Sequence, residues 1–338
     1  MNVCAVIVTY NNRFNLLKQV IDGLFRINVQ KIIVVDNNSE DESRSQLISL
    51  EKNNVSRLKV LYLNENTGSA GGYARGLREF YDEKSCDFVW LLDDDNVPKE
   101  DSFEVIRNFW SSLTAPDKES SIALLSSRPG RKIYETAVIQ NNPDLVIGDI
   151  NGFMGFTVTG FFSRIARSFF KKEAGSRDAV SHGNVAAAYY GGLFFHKSLL
   201  DIIGYPNEDL FVYSDDIEYS NRIVRKGGKI IVLFNSRIDD VDEKWHSPED
   251  KITCLKLPLM NESNKHRFYY QIRNRIYFEK YRTKSSSLLY SFNKFVYFVI
   301  LKVVLLTNKN ISYSKIIKLA IKDGLKGNLG KKDTAYLG

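Results

Sequence analysis

Three consecutive carboxylates, Asp93, Asp94 and Asp95, directly follow the apolar run DFVWLL at residues 87–92. Adjacent carboxylates repel one another unless a positive charge lies among them, and a hard divalent cation held by one or two carboxylates together with substrate phosphates often supplies that charge. A solvated acidic turn is the alternative. Because the preceding run has the composition of a buried strand, we interpret the triplet as a candidate metal site.

A glycine-rich segment, NTGSAGGYARG at residues 66–76, opens a predicted helix after the third predicted strand. Glycine lets the backbone approach a ligand closely, and the free N–H groups of a helix N-terminus attract anions. The segment lacks Gly-Lys-Ser/Thr and follows the third strand, so it is neither a Walker A loop nor a good Rossmann fingerprint. A turn that packs the helix onto the sheet explains the glycines equally well.

Two further candidates lie in the second half of the chain. Asp215, Asp216 and Glu218 fall in the first turn of a predicted helix, where the helix dipole favours negative charge. They are either helix-start acids or the source of a carboxylate general base. His246 follows Trp245 in a polar loop. A lone histidine is more often structural, but imidazole also binds transition metals such as Mn²⁺ alongside carboxylates.

The elements that must position these residues follow from the pattern of the first 95 residues. Apolar runs at 3–8, 31–35, 58–63 and 87–92 alternate with helical patterns at 14–25, 43–50 and 70–82. This alternation predicts an α/β fold, Rossmann-like, with a mostly parallel sheet and helices on both faces. Each predicted strand ends in polar residues. Because ligands bind beyond the carboxyl ends of parallel strands, the four polar loops predict one site.

The remainder of the chain is less regular. Residues 122–126, 137–139 and 230–234 have the composition of strands, 210–225 of a helix and 239–250 of a polar loop. Residues 185–196 resemble a strand or helix broken at Gly191 and Gly192, and residues 151–178 have no assignable pattern. From Lys265 onward the pattern is helical and basic. We therefore expect one domain at residues 1–262 and a basic helical region at residues 263–338.

Composition narrows the class of protein. The 338 residues include 47 Lys and Arg and 40 Asp and Glu, a net charge of +7. The three scattered cysteines exclude a disulfide framework and a zinc ribbon and predict a reducing, cytoplasmic setting. The N-terminus has no basic n-region, so it predicts a first strand and not a signal peptide. The longest later apolar stretch, residues 295–306, is shorter than the ~20 residues of a membrane-spanning helix.

The basic charge is concentrated near the C-terminus, where residues 264–338 include 16 Lys and Arg but only 3 Asp and Glu. Apolar residues lie among these cations at helical spacing. We therefore expect the segment from about residue 282 to hold the protein on an anionic membrane surface, at the inner face of the cell membrane. Packing against the main domain, or a homo-oligomer interface, accounts for the same pattern equally well.

Taken in order, these motifs resemble the inverting GT-A glycosyltransferases of family 2. The resemblance covers roughly residues 2–280 and is carried by VIVTYNN, VDNNSED, WLLDDDNVP, YSDDIEYSNRI, the Trp-His pair and YYQIRNRIYF. Within the family, the glycine-rich segment and the DDxE motif followed by Trp-His look most like those of bacterial galactofuranosyltransferases. The resemblance implies the GT-A fold and a nucleotide-sugar donor.

The resemblance also implies residues that bind a UDP-sugar: Thr9, Tyr10, Asn11, Asp36, Asn66, Gly68, Gly71, Gly72, Asp93 and Asp94. The first four would hold the uracil and ribose. Asn66 and the glycine backbone would line the pocket of the diphosphate and sugar.

Further roles follow from the same resemblance. Asp93 and Asp95 would form the Asp-x-Asp motif, with Asp95 the more direct ligand of Mn²⁺ or Mg²⁺ and Asp93 nearer the ribose. Asp94 would take either duty if the register shifts by one. Asp216 would be the general base, and His246 would be a further metal ligand.

The implied reaction is a single displacement with inversion of configuration. UDP-α-galactofuranose would then give a β-linked furanoside on a cell-surface glycan or a lipid-linked saccharide acceptor. A rhamnosyltransferase that uses dTDP-rhamnose is the alternative within the family.

Two rival classes fit parts of the sequence. A nucleotidyltransferase would need a basic glycine-rich loop near the first strand, but VTYNNRF offers only Arg13. A non-catalytic nucleotide- or nucleic-acid-binding protein would use the basic tail and its interleaved aromatic residues. The acidic loops and the histidine at the sheet edge argue against this second class, and we expect no nucleic-acid partner.

Overall fold

The computed structural model describes residues 1–169, 180–242, 265–307 and 311–332, with side chains described except at 164–169, 304–307 and 311–314. The strands are β1 (Val3–Thr9), β2 (Lys31–Asp36), β3 (Leu58–Tyr62), β4 (Phe88–Asp93), β5 (Asn96–Pro98), β6 (Ile122–Ser127), β7 (His182–Val185), β8 (Leu193–His196) and β9 (Lys229–Asp240). The helices are α1 (Phe14–Arg26), α2 (Asp41–Lys52), α3 (Gly68–Asp82), α4 (Ser102–Ser112), α5 (Lys118–Ser121), α6 (Lys132–Ile139), α7 (Val158–Phe169), α8 (Ser198–Ile203), α9 (Asp215–Arg225), α10 (Lys265–Phe278), α11 (Ser287–Thr307) and α12 (Ile311–Lys326).

The strands form one sheet in the order β3-β2-β1-β4-β8-β6-β9-β5, and β7 also pairs with β9. The first four strands of this order are parallel, whereas β8 runs antiparallel between β4 and β6. The sheet is therefore parallel in its first half, as predicted, and mixed in its second half. Thr9 is paired with Asp36, and Val8 with Asp93. The carboxyl ends of β1, β2 and β4 consequently meet at one edge.

Alternate residues of the central strands face two separate apolar layers. In β1, Cys4 and Val6 pack with residues of α3, α6, α8 and α9, while Ala5 and Ile7 pack with residues of α1, α2 and α4. Burial on both faces explains why the strands are nearly continuous apolar runs. The prediction of helices on both faces is confirmed.

Three local predictions are wrong. Residues 137–139 end α6 and form no strand, because Tyr134 and Ala137 face the core at helical spacing. The helix expected from residue 210 begins only at Asp215, since Phe211, Tyr213 and Ser214 have left-handed backbone, with φ of 60–66°. β9 extends through residues 239 and 240 of the expected loop, where it pairs with β5.

The described residues form two compact units. The first comprises residues 1–146, 180–208 and 215–242, and the second comprises the remaining described ranges. The second unit thus begins earlier than the expected boundary at residue 263 and includes residues 147–169 and 209–214. Its core explains this difference, because Phe153 and Phe156 are buried together with Tyr269, Tyr297 and Ile317. Such contacts join segments that are more than 100 residues apart and leave no local pattern in the sequence.

In the second unit, Arg273 and Asn274 of α10 hold the backbone of residues 209–214. The Asn274 amide donates to three carbonyls of this segment at 2.8 Å each, and the Arg273 guanidinium donates to two at 3.0 and 3.3 Å. Both side chains are buried. The bonds offset the cost of three left-handed non-glycine residues, about 1–3 kcal/mol each. The segment leads directly into Asp215.

The basic helical C-terminal region that the sequence predicts is present as α10, α11 and α12. Among the described residues, no helix has both the length and the apolar character required to cross a membrane.

Candidate functional site

Arginine side chains, which the sequence analysis did not assign, neutralise much of the acidic triplet at the end of β4. Arg128 donates to Asp93 Oδ2 at 2.9 Å. Arg13 Nε donates to both oxygens of Asp94 at 2.9 Å, and Arg13 Nη2 lies 3.2 Å from Asp95 Oδ2. The positive charge that the triplet requires is thus supplied in part by the chain itself.

The three carboxylates nevertheless differ in their surroundings. Burial raises the pKa of Asp94, but Arg13 and the Thr9 hydroxyl, which donates to Asp94 Oδ2 at 2.8 Å, oppose that increase. Burial and the charges of Asp93 and Asp94 raise the pKa of Asp95 to about 7. The arginines therefore do not fully compensate the charged form of Asp95.

Asp93 and Asp95 fit a hard divalent cation, since both offer carboxylate oxygens, the ligands that Mg²⁺ and Mn²⁺ prefer. The Asp93 side chain is 38% exposed, so a cation can reach it. Asp94 is 4% exposed and both of its oxygens accept from Arg13, and Asp95 is 8% exposed, so Asp93 is the most accessible of the three carboxylates. Within the described ranges no group of three or more His, Cys, Asp or Glu is arranged for a metal ion. His246 lies outside those ranges.

Hydrogen bonds from neighbouring residues orient Asp93 and Asp95. The Tyr73 hydroxyl donates to Asp93 Oδ1 at 2.9 Å, and the Asn96 amide donates to Asp95 Oδ1 at 3.0 Å. Asn96 also bridges to Asp240 Oδ1 at 2.8 Å. Asp240, at the end of β9, lies 2.8 Å from Arg128 Nε. The ends of β4, β6 and β9 are thus connected by one network of charged and amide groups.

Gly191 lies against this network with no room for a side chain. A Cβ atom at this position would be 2.5 Å from Arg128 Nη1, 2.7 Å from Asp93 Oδ2, and closer still to Asn96 Oδ1. Asp93, Asn96 and Arg128 therefore require glycine here. The Gly191-Gly192 pair, interpreted from the sequence as a break, is a site residue followed by a left-handed turn, with φ of 103° at Gly192.

Three glycines of the glycine-rich segment have no room for a side chain. A Cβ at Gly72 would lie 2.6 Å from Val8 Cγ1, and a Cβ at Gly76 2.5 Å from Val6 Cγ1. At Gly71 it would lie 2.5 Å from the Thr67 hydroxyl oxygen. Packing of α3 on β1, together with its own first turn, accounts for these glycines, so their contacts do not support the predicted donor-binding role of Gly71 and Gly72.

The start of α3 remains a candidate ligand-binding site. Asn66 Oδ1 accepts from the Gly68 N–H at 2.9 Å, and the Asn37 amide donates to the Gly68 carbonyl at 2.9 Å. Ser69 donates to Asp215 Oδ2 at 2.7 Å. The segment therefore connects the end of β2 with the acids that open α9.

The acid pair at the start of α9 is inside the first unit, and its members have different environments. Asp215 is 2% exposed, and burial raises its pKa to about 6, against the effect of the Ser69 hydrogen bond. Asp216 is partly exposed. Desolvation, then the charge of Asp215, and to a smaller extent that of Asp93, raise the pKa of Asp216. Glu218, by contrast, is buried and paired with Arg222.

The predicted uracil and ribose residues divide into two groups. Asp36 is fully buried and accepts from the Ser39 N–H and from Arg44, so its contacts assign it to the loop after β2. Thr9 is likewise buried against Asp94. Tyr10 is partly exposed, and Asn11 is exposed in a left-handed conformation with φ of 52°. Only the latter two present accessible surface to a nucleotide.

Sequence reasoning missed Arg13, Asn37, Asn96, Arg128 and Gly191. Arg13 and Asn96 adjoin motifs that were identified, so their position in the chain was a usable signal. Arg128 and Gly191 were not predictable in this way, because their proximity to Asp93 depends on β8 lying between β4 and β6.

Comparison with known proteins agrees with this geometry. Residues 4–115 match the family described as glycosyl transferase family 2. Galactofuranosyltransferase GlfT1 of Mycolicibacterium smegmatis is 27% identical over 229 residues, 67% of this chain and 66% of its own. This chain thus spans slightly less than two thirds of that relative. The dTDP-rhamnosyl transferase RfbF of Shigella flexneri is 23% identical over 97% of both chains.

A solved structure supports the fold. The mannosyltransferase PcManGT from Pyrobaculum calidifontis, in complex with GDP-Man and Mn²⁺, has a TM-score of 0.50 at 16% identity and covers 99% of this chain and 78% of its own. Together with the family match over residues 4–115 and the acid triplet at the end of β4, this similarity agrees with the resemblance found in the sequence: the chain is similar to glycosyltransferases of family 2 and has the GT-A fold.

Proposed function

We propose that this protein transfers galactofuranose from UDP-galactofuranose to a hydroxyl group of a glycan or lipid-linked saccharide, with inversion at the anomeric carbon. The observation that carries this proposal is that α3 bonds to both acidic groups: Ser69 donates to Asp215 Oδ2 at 2.7 Å, and Tyr73 donates to Asp93 Oδ1 at 2.9 Å. It brings the candidate base and the candidate metal ligands into one site of the first unit. The similarity to the galactofuranosyltransferase of Mycolicibacterium smegmatis supports the choice of donor.

Asp93 and Asp95 would hold Mn²⁺ or Mg²⁺, which when bound neutralises the charge that grows on a diphosphate leaving group. Tyr73 and Arg128 keep Asp93 oriented, and Asn96 does the same for Asp95. Holding these carboxylates in advance lowers the cost of reorganisation when charge develops.

Asp216 accepts the proton of the acceptor hydroxyl as its oxygen attacks the anomeric carbon from the face opposite the diphosphate. The bond between the sugar and the diphosphate breaks as the new glycosidic bond forms, and the electron pair leaves with UDP. A carboxylate base suffices, and no covalent nucleophile is required. The side chain of Asp215, the residue before Asp216, is held in place by a hydrogen bond of 2.7 Å from the Ser69 hydroxyl to its Oδ2 atom.

Asp95→Ala is expected to weaken Mn²⁺-dependent donor binding by at least about 10-fold, since loss of a group that orients a metal costs on the order of 10–100-fold in affinity. Calorimetric titration of UDP at several Mn²⁺ concentrations measures this. Asp22→Ala, which removes an exposed carboxylate of α1, is the matched control and is expected to bind normally. His246→Ala is expected to act like Asp95→Ala. Unchanged metal dependence in both variants would contradict the metal assignment.

Rhamnosyl transfer from dTDP-rhamnose is the second candidate. It is favoured by one observation: the Shigella flexneri relative aligns over 97% of this chain, whereas the Mycolicibacterium smegmatis relative aligns over 67%.

A panel of donors separates the two functions. With Mn²⁺ and a hydroxyl acceptor, we expect turnover of UDP-galactofuranose and none of dTDP-rhamnose, measured as nucleoside diphosphate release above hydrolysis. The glycine-rich start of α3 is the sequence feature behind this expectation. Turnover of dTDP-rhamnose alone would establish the second candidate, and equal turnover of both would reduce the assignment to the family.

A further inference from the structure

Helix α11 has two opposite faces, of which only one is packed. Tyr290, Asn293, Tyr297 and Leu301 are buried in the core of the second unit. Aromatic contacts of Phe153 with Tyr290 and Tyr297, at centroid distances of 5.9 and 5.2 Å, hold this face in place. The helix is therefore part of a folded core and not a free tail.

The other face carries large apolar side chains that are exposed. Leu288, Phe292, Phe295 and Val299, here called the α11 stripe, are 80%, 52%, 66% and 49% exposed. Their spacing of four, three and four residues places them on one line along the helix. They are offset by two residues from the buried positions, which is about 200° around the helix axis. A contiguous exposed apolar surface of this kind marks a binding surface.

The charges of the sequence segment that contains the stripe are of one sign. Residues 280–322 contain nine Lys and Arg and no Asp or Glu. The exposed cations include Lys284, Lys302, Lys315, Lys318 and Lys322.

The acids that flank this region are not available to neutralise it. Glu279 is 1% exposed and accepts from the backbone N–H groups of Met154 and Gly155. Asp323 is 4% exposed and bound by Tyr269 and Lys332. The surface of α11 and α12 therefore carries positive charge that these two acids leave uncompensated.

We propose that the α11 stripe binds the surface of an anionic lipid bilayer. The apolar side chains enter the boundary between headgroups and acyl chains, and the neighbouring lysines contact anionic headgroups, as in interfacial amphipathic helices. Each cation near such a surface contributes attraction that salt screens over ~8 Å at physiological ionic strength. A second copy of this chain is a poorer occupant, because pairing two stripes would bring two sets of cations together with no acid between them.

This inference does not rest on the proposed sugar transfer. It concerns only α11 and α12, and its readout is independent of donor and acceptor. Loss of catalysis with intact lipid binding, or the reverse, would separate the two proposals.

The test is flotation of the full-length protein with vesicles of phosphatidylcholine containing 30–40% phosphatidylglycerol. We expect binding at low salt that falls by at least about tenfold as salt rises well above physiological concentration, and little binding to pure phosphatidylcholine. The double variant Phe292→Gln/Phe295→Gln is expected to lower binding by on the order of tenfold or more, since each side chain loses the gain from burial. Lys318→Gln/Lys322→Gln is expected to weaken the binding and its salt dependence.

A matched control is available on the first unit. Val55→Gln/Ile202→Gln alters two exposed apolar residues and is expected to bind vesicles like the unmodified protein. All substituted positions are exposed, so the melting temperature is expected to stay within a few degrees of the parent value.

Two results would overturn the inference. One is absence of binding to anionic vesicles at low salt. The other is a dimer in sedimentation equilibrium that Phe292→Gln/Phe295→Gln dissociates, with vesicle binding unchanged, because the stripe would then be an interface between copies.

Discussion

Asp216→Asn is expected to lower the rate of sugar transfer by about 10²–10⁴-fold, the range typical for loss of a general base. The amide keeps the shape of the side chain and its capacity to accept from the Ile217 N–H, which lies 2.7 Å from Asp216 Oδ1. It does not accept a proton. Donor binding is therefore expected to remain within about threefold of the parent value, measured by calorimetry, while single-turnover transfer is lost.

The neighbouring acid provides the control for this prediction. Asp215→Asn retains an acceptor for the Ser69 hydroxyl and is expected to keep most of the transfer rate. Normal transfer by Asp216→Asn together with an inactive Asp215→Asn would mean that the base is Asp215.

The pH profile gives a second readout of the same assignment. A base must be deprotonated, and the surroundings of Asp216 raise its pKa above the ordinary range, through desolvation and the charges of Asp215 and Asp93, against the influence of Arg131. Transfer is therefore expected to increase with pH through this raised pKa and to be lost below it. In Asp216→Asn the residual rate is expected to lose this acid limb.

Gly191→Ala is expected to reduce donor and metal binding by at least about tenfold while the protein remains folded. The added methyl group would overlap Asn96, Arg128 and Asp93, so at least one of these side chains must move. Overpacking of this kind costs about 1–3 kcal/mol. The strain falls on the groups that orient the candidate metal ligands. Calorimetric titration of Mn²⁺ and UDP measures the loss.

Gly183→Ala separates the local effect from general destabilisation. A Cβ at Gly183 would overlap Val138, so the steric clash is comparable to that at Gly191. It affects β7 and α6 and not the acidic triplet. We expect both variants to melt earlier and only Gly191→Ala to bind donor weakly. Equal donor affinity in the two folded variants would contradict the role assigned to Gly191.

The parts of the fold that the sequence predicted are those set by local pattern. β1 to β4 and their helices follow from apolar runs whose residues are buried on both faces, so type and order could be read directly. The antiparallel orientation of β8 could not be predicted, because the sequence of a four-residue strand such as LFFH does not indicate its direction in the sheet. The second unit was misplaced for a related reason, since Phe153 and Tyr297 meet only through the tertiary fold.

In the site, too, the sequence indicates which residue types are present, whereas only the tertiary structure gives their contacts. Asp93 and Asp95 were proposed because carboxylates that directly follow a buried strand suit a divalent cation, whereas Asp216 was proposed as the base only through the resemblance to family 2. Which carboxylate is neutralised by which arginine depends on side-chain geometry. For this reason Asp94 was assigned either duty from the sequence, whereas its bonds to Thr9 and Arg13 give it a structural one.

The hydrogen bonds from Arg273 and Asn274 to the backbone of residues 209–214 have a consequence for biosynthesis. At 5–20 residues per second, α10 is translated roughly 3–12 s after the segment whose carbonyls it binds. All strands of the sheet precede α10 in the chain, so the sheet is expected to assemble while the backbone leading into Asp215 still lacks these hydrogen bonds. A nascent chain that terminates before residue 273 is therefore expected to contain every strand and yet be inactive.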